Sequence, residues 1–152
     1  MPSFRPNVAL LLLNSDDRLL ICERMKIVGA WQFPQGGMDE GETPLQSLHR
    51  EVSEEVGLPP ESYEVLESRD GYCYLYPPGV KKRKKGHFDG QTQTYFLCRL
   101  KEGAPPINVA REPREFRSHT WVDPAQFELQ WLPEFKWEVY RKVMRDFFGV
   151  EL

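Results

Sequence analysis

Glu51, Glu54 and Glu55 stand at i, i+3 and i+4 of one segment. On a helix they fall within an arc of about 100°, beside the apolar stripe rather than opposite it. Like charges at this spacing cost roughly 0.2–0.5 kcal/mol per pair. They also crowd the last turns, where the helix dipole disfavours each negative charge by about 0.3–1 kcal/mol. Such a cluster is either a solvated acidic face with Arg50 as counter-ion or the donor set of a missing cation. A hard divalent ion such as Mg²⁺ suits it, because Mg²⁺ takes oxygen ligands and tolerates converging carboxylates. Gly36 and Gly37 lie upstream, where glycine lets backbone oxygens turn toward a ligand.

The segment that carries these carboxylates is punctuated as a helix. Thr43 is a good N-cap, Pro44 suits the first helical position, and Gln46 completes a Thr-x-x-Gln capping box. Gly57 supplies a left-handed stop, and Leu45, Leu48, Val52 and Val56 form an apolar stripe between them. Upstream, residues 8–13 and 18–22 read as strands joined by a turn at Asn14-Ser15-Asp16-Asp17. The continuous apolar run of the first predicts burial on both faces. Residues 31–34 are extended before Pro34, and Gly36 opens a loop that lasts to Glu42. Residues 63–67, 72–76, 91–100 and 119–122 read as further strands. Trp137, Tyr140, Met144 and Phe147 recur at helical spacing, with Lys136, Arg141, Lys142 and Arg145 largely outside that stripe. Strands without regular strand–helix alternation predict an α/β (α+β) fold with a mixed sheet and helices on its faces.

The 152 residues carry 20 Lys+Arg against 23 Asp+Glu, a net charge of −3, and are 40 % hydrophobic and 28 % charged. This is the composition of one ordinary globular domain, residues 1–152, and excludes disorder and collagen-like structure. The longest apolar run is far short of the ~20 residues of a membrane helix, so no membrane association is expected. The start lacks the features of a signal peptide. Cys22, Cys73 and Cys98 show no paired spacing, so reduced, buried thiols and a cytoplasmic setting are expected. His49, His87 and His119 lack metal-ligand spacing and are assigned no chemistry.

Residues 36–58 read GGMDEGETPLQSLHREVSEEVGL. This matches the Nudix box, G-x5-E-x7-R-E-U-x-E-E-x-G-U with U a bulky aliphatic residue. Gly36, Glu42, Arg50, Glu51, Val52, Glu54, Glu55, Gly57 and Leu58 occupy every specified position. The chain therefore resembles the Nudix hydrolases. The resemblance implies an α/β/α sandwich with a central mixed sheet, and Mg²⁺- or Mn²⁺-dependent hydrolysis of a nucleoside diphosphate linked to another group. The flanks Arg5-Pro6-Asn7-Val8 and Trp31-Gln32-Phe33-Pro34-Gln35-Gly36-Gly37 look like those of the bacterial RNA pyrophosphohydrolases and the similar dinucleoside polyphosphate hydrolases. Glu115-Phe116 ahead of Trp121-Val122, and Phe135-Lys136 before Val139-Tyr140, extend this likeness over most of the chain, weakening over residues 69–90.

Carried over residue by residue, the resemblance implies that Glu51, Glu54, Glu55 and Glu115, with the backbone carbonyl of Gly36, hold the metal. Arg50 would orient Glu51, Glu42 would brace the loop, and Gly37 and Gly57 would keep structural places in the motif. Glu51 or Glu115 would be the general base. Water must attack a phosphorus ringed by anionic oxygens, and clustered metals neutralise the developing charge. The implied partner is 5′-phosphorylated RNA, whose tri- or diphosphate end becomes a monophosphate, or a nucleotide polyphosphate such as diadenosine tetraphosphate. Free nucleoside triphosphates come behind these, and a non-catalytic nucleotide sensor would lack a metal carboxylate, none of which is missing.

For RNA, Phe135 would stack on the first base, worth about 1–3 kcal/mol, with Lys136 beside it. Its bland alternative is a core phenylalanine. Arg24 and Lys26 would meet the 5′ phosphates, although Met25 stands where the related enzymes carry a second arginine. Gln91 and Gln93 face either the site or water from their strand. The block Lys81, Lys82, Arg83, Lys84 and Lys85 either draws in an RNA backbone by releasing counterions or is a solvated loop.

Overall fold

A computed structural model describes residues 1–79 and 88–152. The strands are β1 (Phe4–Leu13), β2 (Leu19–Arg24), β3 (Trp31–Gln32), β4 (Gln35–Gly37), β5 (Tyr63–Leu75), β6 (Gly90–Leu100) and β7 (Phe116–Val122). The helices are α1 (Pro44–Val56) and α2 (Trp137–Phe148). Strand β1 is central. It runs parallel to β6 from Phe4 opposite Gly90 to Leu13 opposite Arg99, and β5 lies antiparallel beyond β6. On its other side β1 meets β4 at Asn7–Ala9 and then β2 at Leu13. Strand β2 in turn pairs with β3 and β7.

The apolar run in β1 has the double burial that its composition predicts. Ala9, Leu11 and Leu13 enter the core beneath α2, while Val8, Leu10 and Leu12 enter the core beneath α1. The result is an α/β/α sandwich around a mixed sheet. No helix among the described residues is long and apolar enough to cross a membrane.

Helix α1 starts and stops where its punctuation predicts. The Thr43 side chain accepts from the Gln46 N–H, the Gln46 side chain accepts from the Thr43 N–H, and Gly57 sits at φ 74 with its N–H on Ser53 O. Leu48, Val52 and Val56 are buried, but Leu45 is 43 % exposed. Ser47 takes the inward place in the first turn, because its hydroxyl finds an acceptor in Glu42. In α2, Val139, Tyr140, Val143 and Met144 face the core, with Trp137 and Phe147 half-buried beside them.

Other boundaries differ. The two strands expected between residues 63 and 76 are one, β5, whose register shifts between Val65 and Glu67 and between Arg69 and Tyr72 absorb the polar interruption. Gly36 does not open the loop; Gln35–Gly37 pairs antiparallel with β1 before the chain turns away. Cys22 and Cys98 are buried, but Cys73 is exposed. Tyr72 and Tyr74 point into the α2-side core, so alternation puts Cys73 on the opposite face, where its thiol donates to Thr92 Oγ1 at 3.3 Å.

Truncating Leu48, 1 % exposed beneath α1, leaves a cavity under the helix that carries the carboxylates. Leu48→Ala is expected to lose about 2–5 kcal/mol of stability in urea unfolding.

Candidate active site

A cleft of about 340 Å³ opens where β1, β4 and the start of β6 meet α1 and the start of β7. Its acidic lining is Glu51, Glu55 and Glu115, and its basic lining is Arg5, Arg24 and Lys136. Asn7, Gln32, Gln35 and Gln91 line it as well. No ion pair of Arg5, Arg24 or Lys136 forms among the described residues. Three cations without an ion pair and three carboxylates lining one cleft suit a ligand that is itself anionic and bridges through a cation.

Arg50 ties the acidic lining to the loop before it. Its guanidinium donates to both Glu42 oxygens, at 2.8 and 2.9 Å, to the Gly37 carbonyl at 2.9 Å and to Glu51 Oε1 at 2.8 Å. Glu42 also accepts from the Ser47 hydroxyl and from the Asp39 N–H. These donors, Arg50 first, hold the Glu42 carboxyl down at about 2. Arg50 is correspondingly held above its already high value, chiefly by Glu42.

Glu55 has the opposite environment. Burial pushes its carboxyl well above the usual range, and the neighbouring charges of Glu51, Glu115 and Glu54 push the same way. Only the Gln35 N–H, donating to Oε1 at 3.1 Å, opposes them. Burial raises Glu51 as well, against Arg50. Two desolvated carboxylates that disfavour their own ionisation are a donor set that a divalent cation satisfies, and oxygen is the ligand such hard ions take. Among the described residues no three His, Cys, Asp or Glu side chains form a ready-made cage; Arg50 engages Glu51, and the Gln35 N–H donates to Glu55.

The glycines serve close approach rather than an unusual turn. A Cβ on Gly36 would overlap the Glu51 carboxyl, and one on Gly37 would overlap the Arg5 guanidinium. Backbone and functional side chain touch at both positions, so a larger residue at either would displace the Glu51 carboxyl or the Arg5 guanidinium from its place.

The structure sorts the other expected site residues. Arg24 and Glu115 come together because the Met25 N–H donates to the Glu115 carbonyl at 2.9 Å. Gln91 lines the cleft and accepts from the Tyr74 hydroxyl at 2.7 Å. Gln93 lies behind the wall, 4 % exposed, bonded to Asn7 rather than facing the site or water. Glu54 stands outside the wall, with Arg50 Nη1 3.4 Å away. Lys26 is exposed in the β2–β3 loop, away from the cleft. Phe135 is half-buried, its ring 5.6 Å from that of Tyr74, and it is Lys136 that reaches the cleft. Burial, with Arg24 adding, pushes the Lys136 ammonium down to about 8. Lys81, Lys82, Arg83 and His87 lie outside the described residues. Arg5, Asn7, Gln32 and Gln35 are cleft residues that pattern alone did not single out. All four sit in the two motif flanks, the one signal that could have found them.

The NUDIX domain model matches residues 3–147, and the chain belongs to the Nudix family. It is 41 % identical over 148 residues to an RNA pyrophosphohydrolase of Helicobacter pylori (strain G27), covering 95 % of this chain and 93 % of that one. An RNA pyrophosphohydrolase of Francisella tularensis subsp. mediasiatica is 41 % identical over 146 residues, with the same coverage. The fold is also that of a C. elegans Ap4A hydrolase, with a TM-score of 0.66 at 17 % identity over 95 % of this chain and 98 % of that one. Nudix hydrolases in general need divalent metal ions.

The folded chain binds the Glu55 proton more tightly than the unfolded chain does, so without metal the folded state loses stability as pH rises from the ordinary value of 4.5 toward Glu55's raised one. Glu42 acts oppositely, stabilising above the ordinary range and losing this as pH falls toward about 2. With chelator present, Glu55→Gln is expected to melt higher than the parent at pH 8 and to flatten the decline in melting temperature between pH 5 and 8, read by differential scanning calorimetry.

Proposed function

We propose that this protein is a metal-dependent RNA 5′ pyrophosphohydrolase, converting 5′-tri- or diphosphorylated RNA to a 5′-monophosphate with release of pyrophosphate or phosphate. The observation that carries this reading is the cleft itself, lined by three cations without ion pairs and by the desolvated carboxylates of Glu51 and Glu55. The RNA pyrophosphohydrolases matched along 95 % of this chain support the choice of substrate.

In this reading Glu51, Glu54, Glu55 and Glu115, with the Gly36 carbonyl, hold Mg²⁺ or Mn²⁺. Bound there, the cation neutralises charge on the phosphate chain and acidifies water. Arg5, Arg24 and Lys136 draw the phosphate chain into the cleft and spread its charge. Arg50 keeps Glu51 and the Gly37 carbonyl in register, and Glu42 keeps Arg50 in place. Arg50 already occupies Glu51 Oε1, which leaves Glu115, exposed at the rim, the freer carboxylate to accept a proton from water. Phe135, half-buried with the Lys136 ammonium 5.9 Å from its ring centroid, is the aromatic ring available beside the cleft for a splayed base to stack on. The working place of such an enzyme is the cytoplasm.

A dinucleoside polyphosphate presents the same phosphate chain to the same cleft residues, so it is the second reading. The deciding assay compares kcat/KM for triphosphorylated RNA and for diadenosine tetraphosphate in Mg²⁺. The RNA is expected to be the better substrate; a hundredfold preference for the dinucleotide would replace the first reading by the second. Glu54→Gln and Glu55→Gln are expected to remove turnover while circular dichroism shows a folded chain, and ordinary activity in Glu54→Gln would remove Glu54 from the metal set.

A further inference from the structure

A row of buried polar side chains runs through the sheet and ends at the cleft. The Tyr95 hydroxyl donates to Gln93 Oε1 at 3.2 Å, Gln93 Nε2 to Asn7 Oδ1 at 2.9 Å, and Asn7 Nδ2 to Gln35 Oε1 at 2.8 Å. Tyr95, Gln93 and Asn7 are 1 %, 4 % and 2 % exposed. Burying three such groups in series is costly unless each finds its partner, and an apolar row would fill the same space without that risk.

What the row supplies is a direction. Each amide has a donor end and an acceptor end, so the sense of the first bond dictates all the others. Tyr95 sets that sense. Its hydroxyl is enclosed by Phe33, Tyr72 and the α2-side core, and its acceptor there is Gln93. A reversed row would leave the O–H proton buried without an acceptor. The Gln35 oxygen is therefore turned inward and its NH₂ outward.

That NH₂ forms no side-chain hydrogen bond among the described residues, and no described side chain hides a buried polar atom without a partner. Its nitrogen thus opens onto the cleft, which Gln35 lines between Gly36 and the arginines. The backbone N–H of the same residue donates to Glu55 Oε1 at 3.1 Å.

We propose that Gln35 binds the substrate, its NH₂ donating to an anionic oxygen of the phosphate chain, and that Asn7, Gln93 and Tyr95 are positioning residues that keep this donor outward. A neutral donor held in place distinguishes an anionic acceptor from a donor without adding charge beside Glu51 and Glu55. This rests on the reading of the cleft as a phosphoanhydride site, but not on RNA being the substrate.

The test uses Gln35→Leu, Gln35→Glu, Tyr95→Phe and the Gln35→Leu/Tyr95→Phe double variant. KM and kcat are measured with triphosphorylated RNA and with diadenosine tetraphosphate, and Kd for inorganic triphosphate by calorimetry in Mg²⁺. Gln35→Leu is expected to raise KM and Kd roughly tenfold, the size of a lost hydrogen bond to a charged acceptor, with kcat changed less than KM. Gln35→Glu, an acceptor in the same shape, is expected to be worse. Tyr95→Phe is expected to weaken binding in the parent and to have no further effect once Gln35 is Leu. Such non-additivity is what a merely structural Tyr95 would not produce. Unchanged KM and Kd in both Gln35 variants, or an equal Tyr95→Phe effect in both backgrounds, overturns the proposal. A parent enzyme that cleaves neither substrate overturns the functional reading instead, and calorimetry with triphosphate still decides the role of Gln35.

Discussion

The site depends on one guanidinium. Arg50 projects from α1 and fastens the loop after β4 to the helix, through two bonds to Glu42 and one to the Gly37 carbonyl. The same group holds Glu51 on the cleft wall. Its side chain is about a quarter exposed, so these bonds are partly shielded from water and worth more than surface ion pairs. Glu42 in turn is held in its ionised form by three donors. Two of the motif's five charged residues, Glu42 and Arg50, thus serve to place those that face the cleft.

Around that fastening the molecule tolerates what it would otherwise avoid. Glu55 is buried beside other carboxylates, Lys136 is a desolvated cation, and Arg5 lies against the Gly37 backbone. None of these placements aids folding of the empty chain. Each makes sense when an anionic ligand and its cation occupy the cleft, since that restores the missing counter-charges to its basic and acidic residues alike. The rigid part of the scaffold, β1 with both faces buried, lies directly behind them. Sites that must hold unfavourable charge at fixed positions need such support.

The sheet contributes more than a platform. Asn7 and Gln93 interrupt the apolar pattern of β1 and β6 at the end nearest the cleft, and both are buried. Pattern alone assigned Gln93 to the site or to water, because polar residues alternating along a strand usually mark its wet face. Here the face is covered, and the polar groups pair with one another across β1 and β6. Cys73 shows the converse: its residue type suggested burial, but alternation along the edge strand left it outside.

The amino-acid order alone determined the local elements and the identity of the motif. Capping at Thr43 and Gly57, the apolar run of β1 and the spacing of Glu51, Glu54 and Glu55 are short-range properties, legible because helix and strand periods are fixed by backbone geometry. Only tertiary structure decided which of those carboxylates faces the cleft, since Glu54 lies one helical step from Glu55 yet outside the wall. It alone brought Arg5 from β1, Arg24 from β2 and Lys136 from before α2 into one cleft. Residues more than a hundred positions apart become neighbours through sheet order and packing, and no period in the chain encodes that.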